Sequence, residues 1–140
     1  MRILIIDDQA QVRTAVSLAL RAKGFEVATA ENGHAGLRAF KAAPFDLVIA
    51  DIFMPEMDGV KLIKTLRERN PSLAVIAVSG VHLHGSERTA LDLFPLAPDL
   101  HDVVCLQKPF SPLELLQAIA HTTRKPVAER LEASVAAQTT

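Results

Sequence analysis

The chain has 140 residues, 49% apolar and 22% charged, which is enough for one buried core and too little for two ordinary domains. Its 15 basic and 16 acidic side chains nearly cancel and are mixed along the chain, excluding the basic footprint of a nucleic-acid binder. A single cysteine, Cys105, excludes an internal disulfide and a multi-cysteine metal site, and suits a reducing cytoplasm.

The first apolar run, residues 3–6, is cut off at once by Asp7-Asp8. It is too short for a signal-peptide core or a membrane span, so a cytoplasmic protein is expected. Behind it, Val12, Ala15, Val16, Ala19 and Leu20 recur at helical spacing, with Gln11, Arg13, Arg21 and Lys23 off that face and Gly24 as the stop. A second strand is predicted over 25–30. Asn32 then caps a second helix whose buried stripe draws on Ala35, Leu37, Phe40 and Ala43 and which closes at Pro44. A third strand over 47–50 precedes a helix with Val60, Ile63 and Leu66 inward, ended by Asn70-Pro71. The fourth and fifth strands are expected at 73–78 and 103–106. Between them a short helix around 86–94 and an irregular loop are expected. Ser111-Pro112-Leu113-Glu114 reads as a cap, a first-turn proline and a capping-box glutamate. It opens a last helix predicted to bury Leu113, Leu116, Ile119 and Ala120. The domain is expected to span 1–123, with 124–140 as a weakly helical or disordered tail. No linker to an output domain is apparent.

Nearly continuous apolar strands alternating with helices predict an α/β fold, a doubly wound parallel sheet of five strands covered on both faces. In such a sheet the ligand site lies beyond the carboxyl ends of the strands, where the strand order reverses. There the first strand ends in Asp7-Asp8, the third in Asp51, the fourth in Ser79-Gly80 and the fifth in Gln107-Lys108-Pro109. Three carboxylates gathered together repel one another unless protons or a cation neutralise them. Mg2+ is the natural remedy, held by one or two carboxylates plus a phosphate oxygen. Asp51 would then be the nucleophile toward a phosphoryl donor, with Lys108 neutralising the transferring oxygens and Ser79 donating to the new phosphate. Any one of these residues alone is more often a turn former or a helix cap; it is their joint placement that favours chemistry.

The segment Asp51-Ile52-Phe53-Met54-Pro55-Glu56-Met57-Asp58-Gly59 and the motif Lys108-Pro109-Phe110 closely resemble the phosphorylation-site and conserved-lysine motifs of bacterial response regulator receiver domains. The resemblance covers Met1 to about Thr123 and implies a flavodoxin-like strand order, 2-1-3-4-5. It implies Asp51 as phospho-acceptor, Asp8 as a direct Mg2+ ligand, Asp7 as a ligand acting mainly through water, and the backbone carbonyl of Phe53 as the remaining protein ligand. Ser79 takes the place of the switch hydroxyl and Lys108 that of the phosphate-contacting lysine. Met54-Pro55 and Gly59 shape the loop after the third strand. The implied partners are a sensor histidine kinase or a histidine phosphotransfer protein as donor, and a downstream protein bound differently after phosphorylation. Catalysis would extend only to the chain's own phosphorylation and dephosphorylation.

Two departures stand beside these matches. Receivers usually carry Tyr or Phe three residues before the lysine, where this chain has Cys105, and the stretch from Ser79 to Lys108 is longer than is usual in the family. The expectation is that residues 80–102 reorder on phosphorylation in place of an aromatic switch. Phe53 and Val81 flank the acceptor with apolar bulk and are expected to slow phosphate loss. His82, His84 and His101 lack a Cys or carboxylate at ligand spacing and read as solvated. Two rival functions are a receiver-like interaction domain that works without phosphorylation and a Mg2+-dependent phosphohydrolase. The second usually needs an Asp two residues after the nucleophile, where this chain has Phe53.

Overall fold

The structure, a computed structural model, describes residues 1–54, 57–80, 100 and 102–124. Within them the chain runs β1 (Arg2–Ile6), α1 (Ala10–Ala22), β2 (Glu26–Ala30), α2 (Gly33–Ala42), β3 (Leu47–Asp51), β4 (Phe53–Met54), β5 (Met57–Asp58), α3 (Gly59–Arg69), β6 (Ala74–Ser79), β7 (Val104–Gln107) and α4 (Pro112–Arg124). The expected helix at 86–94, the tail from residue 125, Pro55, Val81 and the three loop histidines lie outside the described residues.

Alternation explains why the strands read as unbroken apolar runs. In β1, Ile3 and Ile5 face one core, shared with Val16 and Leu20 of α1 and Leu115 and Ile119 of α4. Leu4 and Ile6 face the other, shared with Leu62, Ile63 and Leu66 of α3. β3 and β6 divide in the same way, Ile49 and Ile76 to the first core and Val48 and Val75 to the second. A strand buried on both faces has no polar side to show. The sheet is parallel throughout, in the order β2-β1-β3-β6-β7, the 2-1-3-4-5 order of a flavodoxin-like fold once the short β4–β5 hairpin is set aside. That hairpin lies where the sequence reading had only a loop.

Local signals act as their chemistry dictates. Asn32 Oδ1 accepts from the Ala35 N–H at 2.8 Å. Ser111 and Glu114 form a reciprocal capping box, Glu114 N–H to Ser111 Oγ at 3.1 Å and Ser111 N–H to Glu114 Oε1 at 3.2 Å. Gly24 ends α1 with φ +88°, a left-handed conformation that side chains disfavour. The cap of α3, unforeseen, is Asp58, whose Oδ1 accepts from the Val60 N–H at 2.9 Å. One face differs from expectation. Leu113 is 64% exposed; Ile119 is buried as expected and Leu116 packs partly buried against the same core, while Leu115, Ala118 and Thr122 complete the buried face. Leu113, Leu115 and Leu116 offer two helical registers, and the helix uses the one that repeats at i, i+3, i+4 and i+7 from Leu115.

Candidate functional site

Sheet order reverses at β1: β2 lies on one side and β3 on the other. The crevice so opened lies at the carboxyl ends of β1 and β3, and there Asp7, Asp8 and Asp51 come together. Each offers a carboxylate oxygen, and these oxygens all lie within 4.8 Å of one another. Asp7 and Asp51 are buried, at 3% and 5% exposure; Asp8 is exposed.

The two buried carboxylates are held in the same manner. Asp7 Oδ1 accepts the N–H of Gln9, and Asp51 Oδ1 accepts the N–H of Phe53, both at 2.8 Å. Each is an Asp bonded to the backbone two residues on, the local turn that an aspartate favours. Their second oxygens share one cation, since Lys108 Nζ lies 2.8 Å from Asp7 Oδ2 and 3.0 Å from Asp51 Oδ2. A third contact from the same ammonium runs to Gln9 Oε1 at 2.9 Å. Lysine has three N–H donors, and here each has an acceptor.

Lys108 reaches this position from the far edge of the sheet. Its backbone N–H donates to the Ser79 carbonyl at 2.8 Å, continuing the β6–β7 pairing one residue past Gln107. The Lys108–Pro109 peptide is cis. Ser79, at the end of β6, is buried at 2% exposure. Phe53 is on β4, two residues beyond Asp51. Gly59 brings the start of α3 against the same loop. Its N–H donates to the Ile52 carbonyl at 3.2 Å, and a Cβ there would lie 2.7 Å from that oxygen.

Electrostatics follow from burial and from the shared cation. Burial raises the Asp7 carboxyl above its ordinary value, only partly offset by the Lys108 bond and the Gln9 N–H. For Lys108, burial pulls downward, but the bond to Asp7 and the charge and bond of Asp51 outweigh it, so its ammonium is held more firmly than usual. An acidic cluster carrying one fixed cation remains under-neutralised. Three clustered carboxylates match a hard cation that takes oxygen ligands directly and through water.

The structure thus brings Asp7, Asp8, Asp51 and Lys108 to one place and sets Ser79 and Phe53 on the same rim. Gln9 was missed, because an exposed glutamine after an acidic pair carries no pattern. Arg13, whose Nη1 donates to the Asp7 carbonyl at 2.8 Å, was read only as a polar residue off the buried face of α1. Cys105 lies on β7 opposite Ala77, where burial pushes its thiol up to about 11.

Comparison with known proteins agrees with this geometry. Residues 3–120 match the response regulator receiver domain family. The response regulator receiver protein CpdR of Brucella abortus is 31% identical over 118 residues, covering 84% of this chain and 92% of that protein. The transcriptional regulatory protein ZraR of Klebsiella oxytoca is 34% identical over 131 residues, covering 91% of this chain but only 28% of the longer relative. Among solved structures, the chemotaxis protein CheY4 of Vibrio cholerae superposes with a TM-score of 0.72 at 26% identity, over 86% of this chain and 97% of that one. TrrA of Thermotoga maritima, solved in complex with Mg2+-BeF, superposes at 0.68 with 27% identity, over the same shares of the two chains. A match over residues 3–120, in a chain whose acidic rim sits where its sheet order reverses, makes this chain a member of the response regulator receiver domain family.

Proposed function

We propose that this chain is a phospho-acceptor switch that takes a phosphoryl group onto Asp51. The observation that carries the reading is Lys108, whose ammonium bridges Asp7 and Asp51 at 2.8 and 3.0 Å. Asp51 Oδ1 is fixed by the Phe53 N–H, so its Oδ2 is the oxygen that attacks the donor phosphorus. The donor's leaving group departs with the bonding electron pair and an acyl phosphate remains. Lys108 is already beside that oxygen and turns to the transferring phosphoryl oxygens, neutralising charge where it accumulates.

The donor set fits Mg2+: Asp8 directly, Asp7 through water, Asp51 and the Phe53 carbonyl completing the protein ligands. Bound there, the ion would neutralise the acidic cluster and act as a Lewis acid toward the transferring phosphoryl group. Ser79 would donate a hydrogen bond from its hydroxyl to the new phosphate on Asp51. The donor class is a phosphohistidine on a sensor kinase or phosphotransfer protein, and the output is a changed set of protein contacts. A cytoplasmic setting is part of the same reading. No helix among the described residues is long and apolar enough to cross a membrane.

The test is phosphoryl incorporation from acetyl phosphate or phosphoramidate, with and without Mg2+, read by intact mass in the wild type and in Asp51→Asn. An adduct of one phosphoryl group that requires Mg2+ and disappears in Asp51→Asn is expected. Failure of a folded, Mg2+-binding protein to form it from any donor, a phosphorylated histidine kinase included, would leave the interaction domain that works without phosphorylation.

A further inference from the structure

Beside the face of α1 that carries the core residues Val16 and Leu20, and outside the acidic rim, a separate cavity of about 260 Å³ opens between α1 and the edge strand β2. Its wall carries Arg13, Thr14, Ser17, Leu18 and Arg21 from α1 and Thr29 from β2. Arg13, Ser17 and Arg21 stand four residues apart, on adjoining turns of one helix face.

Each guanidinium group is held by one backbone carbonyl. Arg13 Nη1 donates to the Asp7 carbonyl at 2.8 Å and Arg21 Nη2 to the Val27 carbonyl at 3.2 Å. Among the described residues no carboxylate pairs with either. Each keeps further N–H donors in the planar fork that suits phosphate oxygens. Between them lies Ser17, 6% exposed, whose Oγ has no hydrogen-bond partner among the described residues. A buried hydroxyl without a partner is costly, and here it lines a cavity that also holds two cations and two threonine hydroxyls. Leu18, 64% exposed, forms an apolar lip on the same opening.

We propose that this cavity is an oxyanion site that takes the phosphate group of a small phosphorylated molecule, with Arg13 and Arg21 as the charged clamp and Ser17 as a hydroxyl donor. The cavity is smaller than sites that enclose a whole drug-sized ligand, so it grips a head group and leaves the remainder over Leu18. It is independent of Asp51 chemistry. One link joins the two regions, since Arg13 holds the carbonyl that precedes the Asp8 amide.

The experiment is a titration of the metal-free full chain, in EDTA at constant ionic strength, followed by amide NMR. Inorganic phosphate, adenosine monophosphate and chloride serve as probes. Saturable shifts at residues 13, 14, 17, 18 and 29, with the Asp8 amide following the same curve, are expected for phosphate or for the nucleotide and absent for chloride. Equal affinities would identify inorganic phosphate as sufficient, and a tighter nucleotide would identify a phosphomonoester with an apolar body. Arg21→Ala is expected to weaken binding about tenfold, the loss of one charge-assisted contact. Ser17→Ala should weaken it as well while leaving Tm unchanged or raised, because it removes an unpaired buried hydroxyl. Shifts confined to Asp51, Ser79 and Lys108, shifts equalled by chloride, or affinity unchanged in both variants would overturn the proposal. So would saturation only by an acidic peptide, which would make the cavity part of a protein-docking face.

Discussion

Arg67 and Asp102, 35 residues apart, form a two-point ion pair beneath the sheet edge, Nη1 to Oδ1 at 3.1 Å and Nη2 to Oδ2 at 2.9 Å. Their side chains are only 9% and 5% exposed, and Arg67 Nε donates to the Leu73 carbonyl at 2.8 Å. The pair ties the end of α3 to the approach to β7, the strand that delivers Lys108. Arg67→Ala leaves a buried carboxylate without its partner and is expected to cost about 3–5 kcal/mol. The double variant Arg67→Met with Asp102→Leu should recover most of that loss, since no charge is left stranded. Urea unfolding of the two proteins checks both values, and equal losses would show that the Leu73 contact, not the ion pair, carries the stability.

Lys108 has two carboxylate acceptors and one amide acceptor, and they are not equivalent. Gln9→Ala removes the neutral one at an exposed position, which should cost about 1 kcal/mol or less and change the rate of phosphorylation by acetyl phosphate by less than about tenfold. Lys108→Ala removes the cation 3.0 Å from Asp51 Oδ2, the oxygen proposed to attack, and should slow that rate by about 10²–10³. Single-turnover mass spectrometry at saturating Mg2+ measures both. A comparable loss in the two variants would mean that Gln9 positions the lysine and that the carboxylates alone do not.

Asp7 provides a test whose sign is set by burial. Its carboxyl is raised above its ordinary value by burial, more than Lys108 and the Gln9 N–H lower it, so the fold favours the protonated acid. That contribution to stability is present below about pH 4 and is lost as pH rises through the raised folded value. In metal-free protein at pH 7, Asp7→Asn is therefore expected to raise Tm, with the difference from wild type closing as pH falls through the carboxylate range. In Mg2+ the order should reverse, because the wild type gains more from the ion than the variant. Melting curves in EDTA and in Mg2+ across pH 4–8 decide it, and a lower metal-free Tm for Asp7→Asn at pH 7 would show that the Lys108 pair outweighs burial.

Gly59 and Gly24 separate a site effect from a fold effect. At Gly59 a Cβ would lie 2.7 Å from the Ile52 carbonyl oxygen, and the obstacle is backbone adjoining Asp51, which cannot rotate aside. Gly59→Ala should cost about 1–3 kcal/mol and slow phosphorylation. At Gly24 no atom lies within 4 Å of an added Cβ, but φ is +88°. Gly24→Ala should cost about 1 kcal/mol through backbone strain and leave phosphorylation untouched. If both variants phosphorylate at the wild-type rate, the loop after β3 tolerates displacement at Gly59.

What could be read from the sequence follows from how each feature is encoded. The strands were legible because Ile3–Ile6 and Leu73–Val78 must be apolar on both faces of a parallel sheet. The rim was legible because polar residues directly after such runs, Asp7-Asp8, Asp51 and Lys108, sit at strand ends by construction. Contacts between distant polar residues were not. Arg67 has the composition of a solvated helix face, and only the folded chain brings Asp102 to it. Leu113 misled because two leucine registers compete in one helix, and the choice belongs to the core. Ser17 lies within a polar face and has no sequence mark of burial.

Cys105 takes the place where receivers usually carry an aromatic residue, and its chemistry is testable without knowing the output. Burial pushes its thiol up to about 11, so at pH 8 it is almost wholly protonated, whereas an unfolded cysteine near pKa 8.5 is partly thiolate. Alkylation by iodoacetamide at pH 8 should therefore be about a hundredfold slower in the folded protein than in urea, and the folded rate should climb steeply only between pH 10 and 12. The linked stability has the same direction: it is present below the ordinary thiol range and lost as pH rises through about 11. Lys108, also raised, loses its stabilising charge at alkaline pH too, so the alkylation rate, which reads only the thiol, is the cleaner measurement. A folded protein that alkylates at pH 8 as fast as the unfolded chain would show that β7 opens at Cys105, and would make that strand a conformationally active element in place of a fixed edge.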